Sequence, residues 1–111
     1  MTDLASRECK PCPKGTPPLG LEQATELLRE IPDWSLTDSS TAIGREFRFK
    51  DFHQTMAFVN AVAWIAHQTD HHPDLEVGYN RCTVNFSTHS IGGLSDNDFI
   101  CAARIDALGE L

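Results

Sequence analysis

Residues 51–73 read DFHQTMAFVNAVAWIAHQTDHHP and contain the strongest helical pattern of the chain. Asp51 is suited to be the N-cap, because its side chain can accept a hydrogen bond from the first turn of the helix. Pro73 disfavours helical backbone angles at His72, so we expect the helix to end by about His71. The apolar residues recur every three or four positions, which predicts one buried face. That face consists of Phe52, Met56, Val59, Ala63 and Ala66, and Phe58, Val62 and Ile65 widen it.

The segments on both sides of this helix alternate apolar and polar residues, which is the pattern of β-strands. Each side is interrupted by turn-forming residues, so we predict one hairpin before the helix and one after it. The first hairpin has Arg45 as a polar residue on its apolar side, and the second hairpin has His89 on the polar side of its last strand. The predicted strands are 34–36 and 43–49 with a turn at 38–40, and 75–79 and 82–89 with a turn at 80–81.

Two further helices complete the predicted domain. The first begins at Leu21 and is stopped by Pro32, and the last follows Gly92-Gly93 and the candidate N-cap Ser95. The resulting order is αββαββα in a single α+β domain. Two hairpins separated by a helix predict a four-stranded antiparallel sheet with the three helices packed on one face. The apolar positions of these two helices are Leu21, Ala24, Leu27, Leu28 and Ile31, and then Phe99, Ile100, Ala103 and Ala107.

The first twenty residues carry four of the six prolines, so they cannot sustain a helix or an inner strand. We expect residues 1–20 to be a flexible arm and residues 21–111 to form the domain. Cys9 and Cys12 in this arm have the spacing of half a zinc site or of a redox pair, but no second Cys pair follows. Cys82 and Cys101 lie in apolar patterns and are interpreted as small core residues.

Charge and hydropathy exclude several classes of protein. Nine Lys and Arg against sixteen Asp and Glu give a net charge of 9 − 16 = −7, and the basic residues are scattered, which argues against a nucleic-acid partner. The longest nearly apolar run, 61–66, is far shorter than the roughly 20 residues of a membrane-spanning helix. The N-terminus also lacks a signal-peptide pattern, so we expect a cytoplasmic protein without a membrane partner.

Four of the five histidines cluster at the end of the long helix and of the last strand: His67, His71, His72 and His89. His67 and His71 are one helical turn apart and can share a face, although cations at a helix C-terminus are also a common structural feature. His72 precedes a proline outside the helix, where it is neither a good C-cap nor a natural turn residue. For His89, a surface position at a strand end and a functional role are equally compatible with the sequence.

Three kinds of chemistry suit such residues. A zinc site of three histidines is conceivable, but Gln68 stands where zinc hydrolases of the His-Glu-x-x-His type have Glu. A serine nucleophile is disfavoured because no Gly-x-Ser-x-Gly elbow exists. Imidazoles titrate near neutrality and can move protons at two places on a small molecule, as an elimination of water requires. Asp98 forms a capping box with Ser95, which does not exclude a second role in this chemistry.

The spacing of these residues resembles the signature of the pterin-4a-carbinolamine dehydratases of the bacterial type. The similarity extends from about Leu21 to Leu108 and includes the segments 50–52, 87–89 and 93–95; the Cys9 and Cys12 arm also resembles some bacterial members. The signature residues are His67, His71, His72, Pro73, Tyr79, His89 and Asp98.

The resemblance implies a fold of the kind described above, a homodimer or homotetramer, and a lyase that needs no metal or organic cofactor. The implied reaction dehydrates 4a-hydroxytetrahydrobiopterin, a product of aromatic amino acid hydroxylases, to quinonoid dihydropterin and water. His71 and His89 would protonate the departing hydroxyl, while His72 would bind the pterin and remove a proton. Asp98 would orient a histidine or the pterin, and Pro73 would fix the His pair.

The sequence leaves the roles of two residues undecided, and it leaves two alternative functions open. Tyr79 would line the pocket or pack in the hairpin, and His67 stands where the family most often has Glu, so its supporting role is undecided. The alternative functions are a non-catalytic pterin-binding or protein-binding regulatory module of the same fold and a metal hydrolase.

Overall fold

The computed structural model describes residues 3–109 and has the predicted order of helices and strands. Short 3₁₀ turns at Leu4–Ser6 and His89–Ile91 are additional. The elements are α1 (Leu21–Leu28), β1 (Ser35–Thr37), β2 (Ala42–Arg48), α2 (Phe52–Thr69), β3 (Asp74–Val77), β4 (Arg81–Phe86) and α3 (Asp96–Asp106).

The four strands form one antiparallel sheet in the order β1-β2-β4-β3. Ile43 lies opposite Phe86, and Leu75 lies opposite Val84. Because side chains alternate across a strand, these residues share one face of the sheet, which packs against the helices. The predicted α+β class and four-stranded antiparallel sheet are confirmed.

The buried face of α2 differs from the predicted one. Phe52 and Ala63 of the predicted stripe are exposed, whereas the residues expected to widen it are the ones in the core. The helix is apolar on most of its circumference, so its periodicity could not identify the side that meets the sheet. A polar residue, Thr55, also lies on the buried side. Its hydroxyl is satisfied there, because it can donate within the helix to Asp51 O or across to Tyr79 O, each at 2.9 Å. The buried positions of α2 are Thr55, Phe58, Val62 and Ile65.

Within residues 3–109, no helix combines the length and the apolar character that a membrane crossing requires.

Arg45, the polar residue on the apolar side of β2, has three partners, one of which is Asp33, whose Oδ2 lies 3.6 Å from Arg45 Nη2. Its Nη1 donates to Asp106 Oδ1 at 2.7 Å, and its guanidinium carbon lies 4.3 Å from the centre of the Phe47 ring. Asp106 also accepts from the indole nitrogen of buried Trp34 at 3.0 Å. The end of α3 is thereby attached to β2 and to the residue that precedes β1, and the partners of Arg45 explain why a charge is tolerated here.

The sequence predicts a flexible arm over the first twenty residues; in the structure, residues 4–10 pack against α3, whereas residues 13–18 are exposed. Leu4 is 1% exposed, and the backbone of Lys10 both donates to and accepts from the Asn97 side chain, at 2.9 and 2.6 Å. Arg104 Nη2 donates to the Arg7 carbonyl at 2.7 Å. The prolines do prevent a long helix or strand, yet an extended segment without regular structure can still be held by side chains of a neighbouring helix.

Candidate active site

The C-terminal end of α2 separates the side chains of the two adjacent histidines. Asp70 adopts left-handed backbone angles, φ 53° and ψ 40°, which end the helix, and His71 N–H donates back to Ala66 O at 3.2 Å. Asp tolerates this conformation better than most residues. Pro73 then fixes an extended path, so successive side chains point in different directions. His71 is directed toward α3, and His72 is exposed.

His71 is held by a buried carboxylate. Its Nε2 lies 2.6 Å from Asp98 Oδ1, and the His71 side chain is 12% exposed while that of Asp98 is 0% exposed. The imidazole also stacks on Phe86, with ring centres 5.9 Å apart and planes 10° from parallel. Since a carboxylate only accepts hydrogen bonds, Nε2 carries a proton and Nδ1 is the nitrogen left for other partners.

Asp98 is fixed in turn by three donors. Besides His71, Thr88 Oγ1 and the backbone N–H of Ser95 donate to its Oδ2, at 2.8 and 3.0 Å. Thr88 Oγ1 gives its proton to Asp98, so the 2.7 Å contact with Ser95 Oγ is donated by Ser95. The capping box predicted from the sequence is present, and its carboxylate both caps the start of α3 and binds His71.

This environment alters the proton affinity of His71. Burial disfavours the charged imidazolium, but the hydrogen bond to Asp98 and the negative charges of Asp98, Cys9 and Asp70 outweigh it and raise the pKa of His71 above its ordinary value of 6.5. His71 is thus a stronger base than a free imidazole and is more fully protonated near neutrality.

His72 and His89 form a second, exposed pair. Their rings lie 6.2 Å apart and 23° from parallel. His72 Nδ1 is 3.2 Å from the Pro73 carbonyl, which can only accept, so Nδ1 carries the proton and Nε2 of the neutral ring has a free lone pair. The predicted place of His89 in a strand is wrong, because β4 ends at Phe86 and His89 begins the 3₁₀ turn His89–Ile91. That turn positions its ring beside His72.

Two other signature residues lie apart from these contacts. His67 is on the exposed side of α2, where its ring lies 5.6 Å from that of Trp64. It does not share a helix face with His71, because the helix ends at Thr69 before His71 is reached. Tyr79 follows β3 in the turn, is 66% exposed, and uses its carbonyl to accept from Thr55.

Two residues near His71 were not among the predicted site residues. Thr88 supports Asp98, and its place in the alternating pattern of residues 82–89 did indicate an inward side chain. Cys9 approaches from the arm, and no local pattern in the sequence indicates that contact. A cavity of about 330 Å³ lies between the arm and the end of α2; its lining includes Cys9, Lys10, Cys12, Asp70, His71 and Thr88.

Among residues 3–109, no group of three or more His, Cys, Asp and Glu side chains has a geometry that could hold a metal ion.

Comparison with known proteins gives consistent results. The family model of pterin 4 alpha carbinolamine dehydratase matches residues 17–108. A relative from Nitrosospira multiformis is 56% identical over 98% of this chain and 95% of its own length. Another, from Nitrosomonas eutropha, is 60% identical over 96% of this chain and 93% of its own. The curated names of both give pterin-4-alpha-carbinolamine dehydratase as a provisional assignment.

Two solved structures have the same fold. The crystal structure of a transcriptional coactivator/pterin dehydratase from Brucella melitensis superposes with a TM-score of 0.79 at 34% identity, over 84% of this chain and 99% of the other. A pterin dehydratase-like protein described as a RuBisCO assembly factor in the alpha-carboxysome gives a TM-score of 0.60 at 26% identity, over 68% and 88% of the chains. On this evidence the chain belongs to the pterin-4a-carbinolamine dehydratase family.

Proposed function

We propose that this protein is a lyase that dehydrates 4a-hydroxytetrahydropterins to quinonoid dihydropterins and water by histidine acid and base catalysis. The observation that carries the proposal is the difference between its adjacent histidines. His71 is held by Asp98 at 2.6 Å, while His72 is exposed beside His89. Family membership supports the substrate class, and the geometry suits a reaction that both gives and takes a proton.

Elimination of the 4a-hydroxyl needs an acid, because hydroxide is a poor leaving group until it is protonated. The raised pKa of His71 favours the protonated ring that can supply this proton through Nδ1. His89, at the exposed edge, is the second candidate donor. Asp98 keeps the His71 ring oriented and compensates its charge, so the acid is ready before substrate arrives.

The same elimination needs a base to remove the proton from the pterin N5, whose electron pair then expels the leaving group. His72 suits this role, because its Nδ1 proton is directed at the Pro73 carbonyl and its Nε2 lone pair is free. Pro73 restricts the backbone that carries the ring. General acid and base groups of this kind contribute about 10²–10⁴-fold to a rate.

The substrate must be supplied by a pterin-dependent hydroxylase, because a 4a-hydroxypterin forms when oxygen is transferred through the pterin ring. The partner proposed here is therefore an aromatic amino acid hydroxylase linked through its product rather than by contact. A homodimer or homotetramer and a cytoplasmic location remain predictions, which size-exclusion chromatography with light scattering and cell fractionation can test.

The decisive experiment adds the purified protein to a tetrahydropterin-dependent phenylalanine hydroxylase reaction and follows the ultraviolet absorbance of the 4a-carbinolamine. We expect faster decay with the native protein, and a loss of about 10²–10⁴-fold of that acceleration in His72→Ala. His53→Ala is the matched control, since His53 is an exposed histidine on α2 outside the site. Decay at the spontaneous rate with native protein would contradict the proposal and favour a non-catalytic binding module.

A further inference from the structure

Cys9 and Cys101 bring their sulfur atoms together, although 92 positions separate them in the sequence. The Sγ atoms are 3.6 Å apart, one on the arm and one in α3. A disulfide has an S–S length of about 2.05 Å, so the two atoms need to approach by about 1.5 Å. The backbone on either side of Cys9 is already held to α3, by Arg104 at the Arg7 carbonyl and by Asn97 at Lys10.

The two thiols differ in accessibility and in acidity. Cys9 is half-buried and lines the cavity beside His71, whereas Cys101 is fully buried. The hydrogen bond between the sulfurs lowers the pKa of Cys9 to about 7 against the opposing effect of burial, and His71 and Arg104 assist. The same hydrogen bond and burial raise the pKa of Cys101. Since the thiolate is the nucleophile, Cys9 is the one of these two sulfurs that an oxidant in the cavity oxidises first.

We propose that Cys9 and Cys101 form an oxidation site, at which a peroxide joins the two sulfurs in a disulfide that ties the arm to α3 beside His71. In the first step the Cys9 thiolate attacks one peroxide oxygen. The O–O bond breaks, hydroxide leaves and takes up a proton as water, and Cys9 becomes a sulfenic acid. In the second step the Cys101 sulfur attacks Cys9 Sγ, the S–O bond breaks, and the Cys101 proton leaves with the oxygen as a second water. Two thiols are oxidised and one hydrogen peroxide is reduced to two waters.

Cys12 is the competitor that the sequence spacing suggests, but its surroundings are different. Its Sγ lies 3.4 Å from Asn97 Nδ2 and 3.7 Å from the Lys10 carbonyl. Cys9 is in contact with Cys101, so the resolving sulfur is supplied by α3. The oxidisable pair therefore joins the arm to α3 and does not lie within the Cys9-Lys10-Pro11-Cys12 motif.

Oxidation of the cysteine pair should also change the pKa of His71. Five contributions set the pKa of that imidazole: burial, which disfavours its charge, and the hydrogen bond to Asp98 and the negative charges of Asp98, Cys9 and Asp70, which favour it. A disulfide carries no charge, so its formation removes the Cys9 contribution and lowers the pKa of His71. The linkage itself does not depend on the pterin chemistry proposed above.

The test treats the native protein with hydrogen peroxide, alkylates the remaining thiols, and maps the cysteines by mass spectrometry. We expect the loss of two hydrogen atoms from the intact mass and one peptide pair joined through Cys9 and Cys101. Cys12→Ser should retain the link, and Cys9→Ser and Cys101→Ala should lose it. Linkage of Cys9 to Cys12, or Cys9 oxidised beyond the sulfenic acid with Cys101 still free, would overturn the proposal.

A second readout is the NMR titration of the His71 ring in the reduced and oxidised protein. We expect a lower pKa after oxidation, and a shift in the same direction in reduced Cys9→Ser. An unchanged titration in both would contradict the assigned coupling between Cys9 and His71. If Cys101→Ala does not fold, Cys9→Ser decides the mapping alone, because Cys9 is half-buried and lies outside the regular elements.

Discussion

The buried and the exposed halves of the candidate site are built in opposite ways. His71 is 12% exposed, stacks on Phe86, and bonds to a carboxylate that accepts two further hydrogen bonds. His72 is exposed and bonds to the carbonyl of the next residue, and its ring faces His89. The first arrangement fixes the position and charge of one imidazole, whereas the second leaves two imidazoles accessible to a substrate. The buried half therefore contributes to stability and the exposed half is accessible to a substrate, and four predictions test this division.

The largest effect on stability is expected for Asp98→Ala. This change removes the partner of His71 and leaves Thr88 Oγ1 and the Ser95 N–H unsatisfied in the core. Loss of one partner of a buried charged pair costs about 3–5 kcal/mol. Urea denaturation of the variant measures the free energy of unfolding. Asp96→Ala is the control, because Asp96 is exposed and its ion pair with Arg7 is worth at most about 1 kcal/mol. Equal losses in the two variants would contradict a special role for the buried carboxylate.

A smaller loss is expected for Thr88→Val, which keeps the side-chain shape and removes the hydroxyl. Asp98 Oδ2 then loses one donor and Ser95 Oγ loses its acceptor, each in a buried place. Unsatisfied buried groups cost about 1–3 kcal/mol. Thr83→Val on the outward face of β4 serves as the control and should change stability by no more than about 0.5 kcal/mol. A Thr88→Val variant as stable as the native protein would show that Asp98 is held without this hydroxyl.

The third change tests the charge of His71 through the pH dependence of stability. A folded-state pKa above 6.5 means that folding favours the protonated ring. The resulting stabilisation is present in full below pH 6.5 and is lost as the pH rises through the raised pKa of the folded protein. The stability advantage of the native protein over His71→Gln should therefore be largest in acid and shrink toward alkaline pH. Denaturation curves across this range measure it, and a constant advantage would mean that Asp98 does not favour the charged ring.

The smallest effect on stability is expected in the exposed half. His72→Ala and His89→Ala should each change the free energy of unfolding by no more than about 0.5 kcal/mol, because their rings are solvent-exposed. The same variants should lose dehydratase activity in the absorbance assay. Thermal denaturation beside the activity measurement separates the two properties. A large loss of stability in either variant would show that the exposed pair also supports the fold.

Much of the fold was accessible from the sequence, because local rules act on neighbouring residues. Asp51 accepts from Gln54 N–H at 2.9 Å as an N-cap should, and the capping box of Ser95 and Asp98 is present. The alternating strands pair as two hairpins joined through β2 and β4. The buried side of α2 was missed, since a helix that is apolar on most sides contains no local information about which side meets the sheet.

The candidate site was predicted less completely than the fold. The resemblance implies that Asp98 orients a histidine or the pterin, and in the structure its Oδ1 lies 2.6 Å from His71 Nε2. His67 was grouped with His71 on the assumption of a continuous helix, but the left-handed residue Asp70 ends the helix first. The sequence relates Cys9 only to Cys12, because spacing within a motif is the only relation between cysteines that a single sequence displays.

Local sequence patterns were enough to predict the order of elements, their caps and turns, and the group of histidines from which the family resemblance follows. These features depend on residues a few positions apart, whose backbone and side-chain preferences act before any long-range contact forms. Long-range packing places the first part of the arm on α3, brings Cys9 against Cys101, and directs His71 at Asp98 while the ring of His72 lies beside that of His89. Such contacts join residues up to 92 positions apart, and only packing around a shared core brings them within bonding distance.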